Sequence, residues 1–99
     1  MYDLARYFQR HNLKADAILY IYRQDGKTVI HSENGEDAVS PIPVHEVGEF
    51  LPKGEFISIA KGVVVRQNRI VHISDAGVYT IADGKTFQGR RRYLSEHKR

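Results

Sequence analysis

From Ala17 to Gln88 the chain alternates short apolar runs with breaks rich in Gly, Asp and Asn. "AILYIYR" and "KTVIHS" are dense in β-branched and aromatic residues. Asp25-Gly26 lies between them, and its glycine supplies the positive φ that tight reversals need. Asn34-Gly35 in "ENGED" repeats the signal. Pro41 and Pro43 in "SPIPV" have no N–H to donate, so this stretch cannot continue a central strand. Val44, Val47, Phe50 and Leu51 then fit one face of a short helix. Gly48 weakens that helix by about 1 kcal/mol relative to Ala, and Pro52 ends it. "FISIA", "VVV", "RIVHIS", "VYTIA" and "KTFQG" read as further strands. Lys61-Gly62, Asp75-Ala76-Gly77 and Asp83-Gly84 fall at breaks between them. Short, closely spaced strands without long intervening helices imply antiparallel pairing. Residues 2–13 follow a different period. Leu4, Tyr7, Phe8 and His11 share a helical face, and Arg6 and Arg10 form an i,i+4 like-charge pair on another. The pattern predicts a mainly β protein: antiparallel strands, an N-terminal amphipathic helix within residues 1–14, and one short internal helix.

Length and composition narrow the class. A chain of 99 residues holds one sizeable core. At 41% apolar it is not a disordered sequence. No apolar run approaches the ~20 residues of a membrane span, and "MYDLARYFQR" lacks a signal-peptide stretch, so no membrane partner is expected. With 0 cysteines there are no disulfides, and a reducing cytoplasm is the expected setting. Charge changes the picture more. Residues 85–99 carry 6 basic side chains against 1 acid, whereas residues 1–84 carry 9 against 11. A surplus gathered at one end favours an anionic partner, nucleic acid foremost.

Catalytic chemistry is not indicated. His11, His31, His45, His72 and His97 show no metal-ligand spacing with one another or with carboxylates. No nucleophile elbow, P-loop or dinucleotide fingerprint occurs. The expectation is a binding protein with no catalytic residue, metal, cofactor or small-molecule substrate.

The order of signals then becomes specific. A strand ending "ILYIY" is followed by "GKTVIHSENGE" and a short amphipathic helix. Then come Phe56, Lys61 and Val65 in fixed spacing, Ile70, the Asp83-Gly84 turn and Arg90-Arg91 before a tyrosine. Over residues 16–96 this resembles the LytTR family of bacterial DNA-binding domains, which close many transcription regulators. The resemblance implies a LytTR-like domain over residues 15–99 that reads successive stretches of DNA groove with loops rather than with a recognition helix. The central motif is altered. The family's usual Arg, His, Ser and Asn positions hold Ser58, Ala60, Gly62 and Arg66, the Ser before the arginines is Gly89, and Lys61 keeps the basic position.

The resemblance and the side-chain chemistry together nominate a duplex-DNA surface. Lys61 would project from a turn made sharp by Gly62. Arg66 and Asn68 belong to a polar cluster a few residues on. Arg90, Arg91 and Arg92 form a basic end-loop, and Gln24 and Lys27 flank the first hairpin. Asn and Gln suit adenine edges, Arg suits guanine, and Lys and Arg clamp phosphates. The implied function is a sequence-specific DNA-binding transcription regulator, acting alone, as a homodimer through the N-terminal helix, or within a longer regulator. The alternative is a degenerate LytTR-like protein-interaction module that pairs with or inhibits another regulator. The substitutions at Ser58, Ala60, Gly62 and Arg66 keep that alternative open.

Overall fold

The computed structural model describes residues 4–10 and 13–90. A helix α1 spans Leu4–Arg10. A 3-10 turn at Ala15–Ala17 leads into strands β1 (Ile18–Gln24), β2 (Lys27–Ser32) and β3 (Asp37–Ser40). Helix α2 (Val44–Phe50) follows, then β4 (Phe56–Ala60) and β5 (Val63–Arg66). A second 3-10 turn, Gln67–Arg69, leads to β6 (Ile70–Ile73), β7 (Val78–Ile81) and β8 (Thr86–Gln88). The strands form two antiparallel sheets, ordered β3-β2-β1-β5-β4 and β6-β7-β8. The mainly β fold read from the sequence is the fold observed.

Alternation along the central strands sorts the core into two layers. Ile21, Ile30 and Val64 face the helices, packing with Phe8, Val44, Val47 and Leu51. Tyr20 and Val65 face the second sheet, packing with Tyr79 and Ile81. A register shift between Ile18 and Tyr20 puts Leu19 and Tyr20 consecutively in the second layer, as a bulge does. Ile21, Ile30, Val65 and Ile59 are wholly excluded from solvent. Each contributes about 1.5–3 kcal/mol from burial.

Several local expectations are met. Asp25 and Gly26 both take positive φ, 53° and 76°, in the β1–β2 reversal. This is the geometry in which a two-residue hairpin matches strand twist. Helix α2 begins after Pro43 and stops before Pro52. Strand β3 is an addition that the sequence reading lacked. It pairs with β2 through Val29↔Val39 and Ile30↔Ala38, at the edge of the sheet. The stripe of α1 packs on its own chain: Phe8 is buried and tilts against Phe50 at 4.7 Å. Tyr7 donates its hydroxyl hydrogen to the Val39 carbonyl at 3.0 Å. His11 and the chain beyond Arg90 lie outside the described residues.

Candidate nucleic-acid interface

Strand β1 runs antiparallel to β5, with Tyr22 opposite Val63. That register brings the β1–β2 hairpin beside the two-residue β4–β5 turn, Lys61-Gly62. The Arg23 N–H donates to the Gly62 carbonyl at 3.0 Å. Gly62 has φ +77°, and a Cβ there would lie 3.4 Å from that of Arg23. Lys61 is exposed, as are Arg23, Gln24 and Lys27. The second sheet delivers one more cation to the same end. The Gly89 N–H donates to Gly77 O, and the Arg90 N–H to Ile59 O, both at 2.8 Å. Ile59 lies two residues before Lys61. The exposed Arg90 thus emerges next to the β4–β5 turn. Among the described residues, Arg23, Lys27, Lys61 and Arg90 make no ion pair.

Arg23 was not singled out by sequence reading. The usable signal was alternation: it follows Ile21 at i+2 and precedes a hairpin, so it stands at the sheet's end on the helix-side face. Gln24 points the other way, into a groove with Asp25, Val29 and Asp37. Lys27, at the tip, borders both faces of the hairpin.

Arg66 departs from the expectation of an exposed reader. It is only 5% exposed. Its Nε donates to Ile18 O at 2.8 Å, one terminal nitrogen donates to Ala15 O at 2.8 Å, and the other pairs with Glu55 at 3.1 Å. The guanidinium also lies 4.5 Å from the Phe56 ring centroid. All these partners hold it inside, where it ties β5 to the entry of β1. Asn68 is exposed, but it sits at the far end of β5. Five residues of extended chain put Arg66 about 17 Å from Lys61, and Asn68 follows it. The arginines of that far end are matched with acids, Arg66 with Glu55 and Arg69 with Glu33 at 2.7 Å. Asp16 and Glu36 are exposed there as well. Arg91 and Arg92 lie outside the described residues. Of the altered motif positions, Ala60 and Arg66 are buried, Ser58 is exposed on the edge strand, and Gly62 forms the turn.

A polar cluster joins the two sheets away from the basic end. The Tyr20 hydroxyl donates to Asp83 at 2.8 Å, and its ring stacks on His31 with centroids 4.7 Å apart. His31 also faces Asp37 and Asp83. Burial, then the hydrogen bond to Asp83, pushes the Tyr20 hydroxyl well above the usual phenol range. Burial raises those of Tyr22 and Tyr79 too, with Asp37 adding to the shift at Tyr22. No group of three or more metal-ligating side chains occurs among the described residues. No helix among them is long and apolar enough to cross a membrane.

An antiparallel β domain that gathers unpaired cations on turns at one end is a scaffold of the loop-presenting class. The match to known families is specific: residues 9–99 fit the LytTr DNA-binding domain. The chain belongs to that family. Among solved structures it is similar to the LytTr DNA-binding domain of a protein described as a methyl-accepting/DNA response regulator from Bacillus cereus. The TM-score is 0.74 at 20% identity, covering 85% of this chain and 80% of that one. No curated protein sequence matches the chain.

Proposed function

We propose that this protein is a sequence-specific transcription regulator of the bacterial cytoplasm that binds duplex DNA through the turns at its basic end. One observation carries the reading: the β1–β2 hairpin, the Lys61-Gly62 turn and Arg90 converge, with four exposed cations that make no ion pair among the described residues. Family membership supports it. Lys61 and Arg90 are the readers, set on backbone that two sheets hold in place. Arg91 and Arg92 extend the same basic run. Gln24 and Lys27 serve the first hairpin. Arg66 serves the fold, and Asn68 faces away from the contact. Pairing of two copies through residues 1–14 would use faces of α1 other than the one carrying Phe8, which the chain's own core occupies.

Fluorescence anisotropy on random and promoter-derived duplexes, across a salt series, tests this directly. Affinity should fall with salt at a log–log slope of about −0.9 per phosphate neutralised. Lys61→Ala and Arg90→Ala should each weaken specific binding by about 1–3 kcal/mol where a base edge is read. Absence of duplex binding at low salt would refute the reading and leave the protein-interaction module in its place.

A further inference from the structure

The first hairpin, the Pro41–His45 segment and the Lys61-Gly62 turn enclose a cleft of about 390 Å³. Arg23, Lys27, Lys61 and His45 line it, and no carboxylate does. Two acids flank lining residues in sequence: Asp25, before Gly26, borders the groove on the other face of the hairpin, and Glu46, after His45, is not part of the lining. The walls are fixed independently of any ligand. Arg23 N–H is bonded to Gly62 O, joining two of them. The Thr28 hydroxyl, buried at 2% exposure, donates to Ile42 O and ties the hairpin to the third. Pro41 and Pro43 stiffen that third wall by fixing φ.

Three permanent cations thus converge on a formed cleft whose lining holds no carboxylate. The lining is cationic, and the ligand that answers it is an anion with several acceptor oxygens. Continuity identifies which one. Lys61 borders the cleft on one side and the emergence of Arg90 on the other. An anion in the cleft is therefore contiguous with whatever those turns hold. We infer that the cleft seats a phosphodiester of the DNA backbone, clamped by Arg23 and Lys27, with Lys61 standing between this seat and the groove. The inference rests on the DNA-binding reading and assigns a positioning task to Arg23.

The test compares the unaltered protein with Arg23→Gln, Lys27→Gln and Arg23→Lys, each checked for an unchanged thermal melt. Anisotropy is measured on a random duplex and a promoter-derived duplex over a salt series. Each Gln variant should reduce the magnitude of the log–log salt slope, the two together by about 0.9 for the one phosphate held, and each should lose the same factor of affinity on both duplexes. Arg23→Lys, which keeps the charge, should keep the slope. A duplex with one neutral methylphosphonate placed at successive positions should show one site where the unaltered protein is weakened and Arg23→Gln is not weakened further. Gln variants that bind with unchanged slope, or that lose affinity on one sequence only, would overturn the phosphate seat while leaving DNA binding intact. Failure of the unaltered protein to bind any duplex at low salt would instead overturn the DNA-binding reading, and the seat with it.

Discussion

Arg66→Ala separates a fold residue from a contact residue. In the native chain the Arg66 guanidinium is 2.8 Å from two main-chain carbonyls, Ile18 O and Ala15 O. Hydrogen bonds from a charged donor contribute about 1.5–3 kcal/mol each. The pair with Glu55 adds little, because that carboxylate is 54% exposed. Truncation also relieves the desolvation of a buried charge, which offsets part of the loss. The balance is a destabilisation of about 3 kcal/mol. For a domain of this size that lowers Tm by about 12–24 °C, taking about 4–8 °C per kcal/mol. Urea unfolding followed by circular dichroism, with a thermal melt beside it, measures both. At a temperature where the variant is folded, its DNA affinity should match that of the unaltered protein. Lys61→Ala should do the opposite, melting normally and binding less. An Arg66→Ala protein that stays within about 0.5 kcal/mol of the native stability, or that folds fully and loses specific DNA binding, would refute the assignment.

Gly89→Ser, which restores the family's usual residue, should destabilise by about 1–3 kcal/mol, because a Cβ there would sit 2.5 Å from Tyr79 Cε1. Pairing it with Tyr79→Val should recover part of the loss in urea unfolding, and strict additivity of the two would contradict the clash. Gly62→Val places a β-branched residue at φ +77° and should cost at least about 1–2 kcal/mol; full stability with full DNA affinity would make that glycine incidental. The raised Tyr20 hydroxyl favours the neutral form in the folded state. Its contribution is thus intact below the unfolded phenol value of about 10 and is lost as pH rises above it. Tyr20→Phe should flatten the alkaline limb of stability against pH and, through the missing bond to Asp83, lower stability near neutrality by about 1 kcal/mol; an unchanged alkaline limb would argue against it.

Most of the fold was legible because its signals are local. Asp25-Gly26 announces its own reversal, and Pro43 and Pro52 bracket α2 without reference to anything distant. Strand β3 was missed because "DAVS" is short and polar at both ends, and its pairing with β2 is what makes it a strand. The candidate interface was half legible. Lys61 and Arg90 stand out as basic residues at breaks in the pattern. The partnership of Arg23 with Gly62 depends on β1 pairing with a strand some 40 residues on, which no local window holds. The burial of Arg66 was illegible for the same reason, since its carbonyl partners lie 48 and 51 residues away. Period two did carry a warning: Arg66 shares a face with Val64, and Val64 faces the helices.

The two ends of the central sheet differ electrically. At one end, the arginines are paired with carboxylates. At the other, Arg23, Lys27, Lys61 and Arg90 stand without ion-pair partners among the described residues. A body so built experiences a torque in the field of a polyanion. It turns its hairpins toward the duplex while still several ångströms out, within a Debye length of about 10 Å at moderate salt. Fewer collisions are then lost to wrong orientation. Association should slow with added salt more than dissociation quickens, until the first turns touch the groove.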